Sequence, residues 1–159
     1  MTLPDGYAMT DLPQTRRDEV LELDQWAFPS SAPDAEVPLP LTWERTHGMV
    51  AKSSMAGTPE DRERLVAMHT SYPFSTFPVP GGHIPVAGLS WVGVHPQHRR
   101  RGLLSAMIDK HLADCVDRGE VASVLTATEP AIYGRYGYGM ATQTLRLTIP
   151  RAAALHPVE

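Results

Sequence analysis

Three consecutive arginines stand in the stretch VGVHPQHRRRGLLSAM, residues 92–107, of a 159-residue chain whose formal net charge is −4. Apolar residues lead into Arg99, Arg100 and Arg101, and an apolar pattern of helical spacing follows Gly102. A turn between a strand and a helix presents unpaired backbone N–H groups, and the helix dipole favours negative charge there. Arginine side chains beside such donors bind phosphate oxygens well. The stretch therefore predicts a site for one anionic group, and a pyrophosphate is the simplest candidate. The alternative is a basic turn that only faces solvent.

Other anion and metal motifs do not account for this turn. The nucleotide-triphosphate pattern G-x-x-x-x-G-K-[ST] does not occur in the sequence. The segment GRYGYG, residues 134–139, lacks the spacing of a dinucleotide fingerprint and follows no predicted strand. His95 and His98 have an H-x-x-H spacing, but no third ligand lies near them in the sequence, so we expect no metal site.

Composition limits the class of protein. The hydrophobic fraction of 42% and the charged fraction of 20% are typical of a globular protein, and we expect a single domain over residues 1–159. We expect no secretory signal peptide and no membrane segment, because no apolar run approaches the length that a bilayer requires. The lone cysteine, Cys115, excludes an internal disulfide and indicates a cytoplasmic protein. The acidic balance argues against nucleic acid as a partner.

The apolar pattern predicts a mixed α/β chain. Pro13 is suited to the first turn of a helix, and the prolines of residues 28–42 indicate a loop. Pro80, Gly81 and Gly82 predict an antiparallel hairpin. The fold class is therefore α/β (α+β), with a mostly antiparallel sheet and one parallel β-α-β crossover around the long helix. The predicted strands are residues 49–53, 64–72, 84–94, 121–128 and 140–149, with helices after Pro13, at 100–118 and, as a short turn, at Pro130.

These residues resemble a known family. The pattern V-x-V-x-P-x-x-R-R-x-G is similar to the acetyl-CoA motif of the GNAT superfamily of N-acetyltransferases. The segments HRRRGLLSAM and, about thirty residues on, TATEPAIYGRYGYGMAT (residues 126–142) together resemble the N-terminal acetyltransferase domain of the enhanced intracellular survival (Eis) family. The resemblance is clear over residues 84–149, and it implies a GNAT fold that uses acetyl-CoA as cosubstrate.

The resemblance also implies which residues bind the cofactor. In the family, backbone groups of the segment that matches residues 92–94 lie beside the pantetheine arm like a neighbouring strand. The segment that matches residues 100–105 holds the pyrophosphate, and the pair that matches Thr128 and Glu129 also contacts the cofactor. The implied cofactor-binding residues are Val92, Gly93, Val94, Arg99, Arg100, Arg101, Gly102, Leu103, Leu104, Ser105, Thr128 and Glu129.

The implied chemistry is the direct transfer of an acetyl group to a primary amine. The family acetylates amines of aminoglycosides and of lysine-containing substrates. The tyrosine that matches Tyr133 is the general acid that protonates the departing thiolate. A thiolate leaving group can take a proton from a nearby phenol, and no covalent enzyme intermediate is then required. Tyr133 as a packing residue is the alternative, and Tyr136 and Tyr138 are expected to pack.

The chain departs from the family in length. Family members continue into two further domains, and their C-terminal carboxylate serves as the general base, whereas this sequence ends at Glu159. The base is therefore unassigned, and we expect a homo-oligomer in which a second copy completes the substrate cleft. A non-catalytic acyl-CoA-binding or assembly domain is the alternative function. A nucleic-acid-binding module is disfavoured by the acidic balance.

Three further titratable residues have simpler interpretations. His111 falls on the apolar stripe of the long helix, which favours a core or boundary position. Cys115, one turn on, is expected to be a small apolar residue, because no basic group or helix N-terminus lies near it to lower its pKa. His69 lies within a predicted strand, and only its location suggests a base.

Overall fold

The computed structural model describes residues 3–28, 40–52, 64–142 and 148–149. The chain divides into two compact units, Met1–Thr126 and Ala127–Glu159. The single domain expected over residues 1–159 stays a prediction. The expected loop at 28–42 falls largely outside the described residues, as do residues 143–147 of the expected strand at 140–149; residues 140–142 and 148–149, which are described, are not in a strand. No helix in the described part of the chain is long and apolar enough to cross a membrane.

In the first unit, the described residues form a five-stranded sheet with the order β1-β2-β3-β4-β5. Neighbouring strands are antiparallel from β1 to β4, while β4 and β5 are parallel. The connection from β4 to β5 contains the long helix α2, Leu103–Asp117. This arrangement confirms the predicted sheet, mostly antiparallel with one parallel crossover. The strands are β1 Tyr7–Asp11, β2 His47–Ala51, β3 Leu65–Val79, β4 Gly82–Val94 and β5 Ala122–Leu125.

The hairpin of β3 and β4 is confirmed, and it is longer than predicted. β3 runs to Val79 although Pro73 and Pro78 lie in it, because β2 pairs only with the first part of β3. Along the unpaired edge, the missing N–H of a proline costs no ladder hydrogen bond.

The two helices cover opposite faces of β4. Helix α1, Arg17–Ala27, follows Pro13 after one 3-10 turn, as predicted. A Cβ placed on Gly93 would lie 3.2 Å from Cβ of Ala27 on α1. Val92 and Val94 instead pack against the core cluster that includes Leu103 of α2. Because successive residues of a strand point to opposite faces, the sheet lies between α1 and α2.

Strand β1 is missing from the prediction. It pairs with β2 along its whole length, from Tyr7 opposite Ala51 to Asp11 opposite His47. Its five residues, YAMTD, are too few to show a clear alternation of apolar and polar side chains. Tyr7 is nevertheless among the most buried large side chains, with 1% of its surface exposed.

The described residues of the second unit contain two short 3-10 helices. Pro130–Ile132 begins with the proline that was expected to open a helical turn, which confirms that prediction. Gly134–Tyr136 follows, and it ends at Gly137 with φ +88°. The guanidinium of Arg135 lies over the ring of Tyr136, 5.4 Å from its centroid.

Candidate functional site

Strand β4 runs past the end of its parallel neighbour and leaves an open edge. β5 pairs only with residues 86–89, while β4 continues to Val94, and no other strand of the described chain pairs with residues 90–94 on that side. The amide of His95 donates to the carbonyl of Val66 on the β3 side, at 2.8 Å. Since the N–H and C=O of one peptide group point in opposite directions, the carbonyl of Val94 faces the open edge. An extended ligand can lie there as a strand would.

A β-bulge lies where the pairing with β5 stops. Met68 pairs with Gly93 and Thr70 pairs with Ser90, so the single residue between them on β3 opposes two residues of β4. One of these two, Trp91, adopts φ +53°, an uncommon value for a residue with a side chain. Bulges bend the strand that carries them, and this one therefore redirects residues 92–94 along the open edge.

The open edge is followed in the chain by residues 99–102, which we call the arginine turn. Arg100 and Gly102 both have positive φ, +61° and +81°. Left-handed conformations interrupt a right-handed helix, so α2 begins at Leu103 and the expectation of a helix beginning at residue 100 or 101 is wrong. The first backbone hydrogen bond of the helix runs from the amide of Ala106 to the carbonyl of Gly102, at 3.1 Å. The amides of Leu103 and Leu104 come before this bond, at the start of the helix, where N–H groups have no partner within the helix.

The turn is positively charged and exposed. Arg99, Arg100 and Arg101 are all exposed, and the first turn of α2 contains no acidic residue. The Nε of Arg99 donates to the carbonyl of Val94 at 3.4 Å, which places this side chain where the open edge meets the turn. The side chain of Leu103 is buried, so only its backbone amide can face a ligand, whereas Ser105 is exposed. The turn thus combines cationic side chains with backbone donors.

The remaining predicted site residues lie in the second unit. Thr128 and Glu129 are exposed, and Tyr133 is half-buried between the two short helices. The ring of Tyr133 meets that of Tyr138 edge to face, with centroids 5.8 Å apart. Burial, and then the charge of Glu129, raises the pKa of Tyr133 above its usual value. A phenol with a raised pKa stays protonated at neutral pH.

The family described as Acetyltransferase (GNAT) domain matches residues 9–141. The chain belongs to this family. A protein named N-acetyltransferase Eis from Mycobacterium tuberculosis is 49% identical over 77 residues, which are 48% of this chain and 19% of that protein. An uncharacterized N-acetyltransferase from Streptomyces avermitilis is 54% identical over 68 residues, which are 42% of this chain and 17% of that protein. The chain thus spans about a fifth of the length of these relatives.

A solved structure extends the likeness over most of the chain. Eis1 from Mycobacterium abscessus superposes with a TM-score of 0.68 at 27% identity, over 86% of this chain and 32% of that one. This agreement confirms the predicted GNAT fold and the resemblance to the Eis family. The residues predicted to bind the cofactor from Val92 to Ser105 therefore occupy the bulged strand, the turn and the helix start of a GNAT domain.

Three histidines of the GNAT domain are buried away from this turn. The ring of His69 lies 5.5 Å from that of His47 and 5.9 Å from that of His111, measured between centroids. Burial is the largest cause that lowers the pKa of His69 to about 3 and that of His111 to about 4. With 1% of its surface exposed, His69 is enclosed and cannot contact a substrate amine. The core position expected for His111 is confirmed.

Cys115 is also a core residue, as predicted. Its side chain is buried, and burial raises the pKa of its thiol to about 11. A thiol with that pKa is a poor nucleophile near neutral pH. Among the described residues, no group of three His, Cys, Asp or Glu side chains is arranged to hold a metal ion.

One residue that contacts the arginine turn is not among the predicted site residues. The hydroxyl of Tyr7 lies 3.1 Å from Nη1 of Arg101 and 2.9 Å from Nδ1 of His98. Tyr7 is 94 residues from Arg101 in sequence, so no local pattern connects the two. Recognition of β1 as a strand would have been needed to find it.

Proposed function

We propose that this GNAT domain transfers an acetyl group from acetyl-CoA directly to a primary amine. The observation that carries the proposal is the continuity of the open β4 edge with the arginine turn and the start of α2. A long ligand with amide groups at one end and a diphosphate at the other matches this sequence of sites. Acetyl-CoA has that order of groups.

Each part of the site has donors or acceptors of the right kind for acetyl-CoA. Backbone groups of residues 92–94 suit the amides of the pantetheine arm. The exposed arginines and the amides at the start of α2 suit the diphosphate, because cationic side chains and helix N-termini both favour phosphate oxygens. We assign Thr128 and Glu129 of the second unit to the cofactor as well, on the resemblance to the Eis family.

In the proposed reaction, Tyr133 acts as general acid. Acetyl-CoA supplies an activated thioester; the amine nitrogen forms a bond to the carbonyl carbon and the carbon–sulfur bond breaks. Tyr133 gives its phenolic proton to the departing sulfur, the proton of the amine passes to solvent, and Tyr133 then regains a proton from solvent. Burial raises the pKa of Tyr133, so the phenol is protonated at neutral pH and holds its proton until the thiolate develops.

The acceptor class rests on the Eis relatives. We propose an aminoglycoside-like or lysine-like primary amine, in a small molecule or a peptide. We also propose that the chain self-associates, with a second copy forming part of the acceptor cleft. Val116 on α2 and Val121 next to β5 support this, with 78% and 68% of their surfaces exposed. Light scattering tests the assembly, and a strict monomer would contradict it.

Thermal unfolding with and without acetyl-CoA tests the binding half of the proposal. At a hundredfold excess over the dissociation constant, we expect the ligand to stabilise the folded state by roughly 2.7 kcal/mol. Arg100→Ala should weaken binding and reduce its sensitivity to salt, because one screened charge is lost. Arg118→Ala is the control, since Arg118 pairs with Asp114 and Glu120 at the far end of α2. Absence of any stabilisation by acetyl-CoA would refute the proposal.

Turnover with a panel of amines tests the catalytic half. We expect release of free CoA thiol that depends on both acetyl-CoA and a primary amine. Acetyl-CoA binding without turnover of any amine would favour the non-catalytic acyl-CoA-binding domain. Binding to DNA or RNA that falls steeply with salt would instead indicate a nucleic-acid-binding module.

A further inference from the structure

A buried tyrosine of the first strand, Tyr7, contacts the arginine turn and the residue that precedes it. Tyr7 belongs to the core cluster, and its hydroxyl is its one polar side-chain atom. That hydroxyl lies 2.9 Å from Nδ1 of His98, before the turn, and 3.1 Å from Nη1 of Arg101, within it. The rings of Tyr7 and His98 also meet edge to face at 5.8 Å. Strand β1 is thereby connected to the segment that links β4 to α2.

The direction of the hydrogen bond to Arg101 follows from the chemistry of the groups. A guanidinium can only donate, so the oxygen of Tyr7 accepts from Arg101. The direction of the bond between the hydroxyl and Nδ1 of His98 depends on which ring nitrogen of His98 carries the proton. In either case phenylalanine in place of Tyr7 would lose both bonds.

An exposed arginine in a strained turn needs such a restraint if it is to meet a ligand in one orientation. A free arginine side chain loses rotamer entropy when it is fixed. Arg100, next to it, adopts φ +61°, so the backbone here is held in a sparsely populated conformation. Tyr7 engages one Nη atom of Arg101, and the other donors of this exposed guanidinium can face an anion.

We propose that Tyr7 is a positioning residue that orients Arg101 for the diphosphate of acetyl-CoA. The proposal rests on the proposed function of this domain. Tyr7 does not contact the reacting atoms; it acts through Arg101. A purely structural role in the core is the competing explanation, and it predicts no dependence on the phosphate groups of the ligand.

A double-mutant cycle on the full chain separates the two explanations. The variants are Tyr7→Phe, Arg101→Ala and both together, with dissociation constants measured for acetyl-CoA and for S-acetylpantetheine, which lacks all phosphates. We expect Tyr7→Phe to weaken acetyl-CoA binding about three- to tenfold, the range for loss of one ordinary hydrogen bond. In the Arg101→Ala background it should have no further effect. S-acetylpantetheine should bind equally to all four proteins.

Tyr72→Phe is the matched control. The hydroxyl of Tyr72 also makes two hydrogen bonds, accepting from Nε1 of Trp91 and donating to the carbonyl of Pro40. Tyr72→Phe should lower the stability of the fold, but it should not weaken the binding of acetyl-CoA more than the binding of S-acetylpantetheine. Equal weakening of both ligands by Tyr7→Phe, additive effects of the two substitutions, or no effect would each overturn the proposal.

A further variant tests the proposal even where Tyr7→Phe does not fold. Arg101→Lys keeps the positive charge but removes the planar fork that reaches both Tyr7 and an anion. We expect it to weaken acetyl-CoA binding nearly as much as Arg101→Ala, and wild-type affinity would overturn the proposal. A folded wild-type protein that binds no acetyl-CoA would refute the proposed function itself, and with it the role of Tyr7. Normal binding by the wild type with an additive cycle would refute the role of Tyr7 alone.

Discussion

The imidazole ring of His69 lies edge to face against that of His111, with the centroids 5.9 Å apart and both side chains enclosed by the core. Nε2 of His111 lies 2.7 Å from the hydroxyl of Ser123 on β5. Nδ1 of His69 is buried and has no hydrogen-bond partner among the described residues. Two adjacent buried rings can stay together only while both are neutral, because a buried charge without a partner is costly.

This pair should make the fold sensitive to acid. The unfolded chain binds protons at these residues below the usual histidine pKa of 6.5, whereas the folded chain does so only near the pKa values of about 3 for His69 and about 4 for His111. Between these limits the unfolded state holds more protons, so the free energy of unfolding falls as the pH falls. Each histidine contributes up to roughly 1.4 kcal/mol per pH unit. Urea unfolding at pH 7, 6 and 5 measures this slope.

His83 provides the control for the acid sensitivity. It is exposed on the β3–β4 hairpin, and His83→Gln should leave the dependence of stability on pH as it is. His111→Gln removes one of the two buried titrating groups and should reduce the slope by up to about half. A slope that is the same in wild type and His111→Gln would show that other groups cause it.

Substitutions at two glycines with the same backbone conformation can distinguish the effect of backbone strain from the effect on ligand binding. Gly102 at the start of α2 has φ +81°, and Gly119 just beyond its end has φ +70°. An added Cβ would meet nothing within 4 Å at Gly119, and only Pro4 at 3.5 Å for Gly102. Alanine at either position should therefore cost about 1 kcal/mol of stability through backbone strain.

Only one of the two substitutions should affect the ligand. Gly102→Ala favours negative φ and turns the amides that follow, so we expect about tenfold weaker binding of acetyl-CoA, or about 1.4 kcal/mol. Gly119→Ala should bind acetyl-CoA like the wild type. Calorimetric titration of both variants, with urea unfolding for stability, gives the comparison. Equal affinities of the two variants would contradict the assignment of the turn.

Tyr133→Phe should remove the proton source and leave the ring. Loss of a positioned general acid typically lowers the rate about 10²- to 10⁴-fold. The dissociation constant of acetyl-CoA should hardly change, since the phenol acts once the thiolate develops. Steady-state kinetics with a fixed amine measures the effect. Tyr136→Phe and Tyr138→Phe are the controls, and similar losses in all three would reduce Tyr133 to a packing residue.

Much of the fold follows from the sequence, because its longer elements have clear periodicity. The apolar positions of α2 repeat at helical spacing, and Gly119 ends the helix with positive φ, as its position suggests. Tertiary contacts decide what the pattern does not show. β1 is a short edge strand that owes its place to pairing with β2, and β3 tolerates Pro73 and Pro78 where it pairs with β4 but not with β2.

The candidate site was predictable in part for the same reason. Residues 92–105 are contiguous, so one local pattern contains the strand, the turn and the helix start. The positive φ of Arg100 was not predictable, because arginine has no preference for that region and the turn imposes it. The contact of Tyr7 with Arg101 depends on β1 lying beside β2, which no local pattern indicates.

The dependence of the reaction rate on pH should show whether a base exists. The described residues supply no assigned base, and His69 is enclosed in the core. An amine acceptor must lose its proton before it attacks, so we expect kcat/KM to rise about tenfold per pH unit toward the amine pKa, near 10.4 for a lysine-like acceptor. Tyr133 must stay protonated, and since burial raises its pKa, any fall in rate from loss of its proton should come above the usual tyrosine pKa of about 10. Rates of acetyl transfer from pH 6 to 10, corrected for hydrolysis of acetyl-CoA without enzyme, give this profile. A plateau reached near pH 7 would show that a positioned base removes the proton, and a second copy of the chain would then be the first place to seek it.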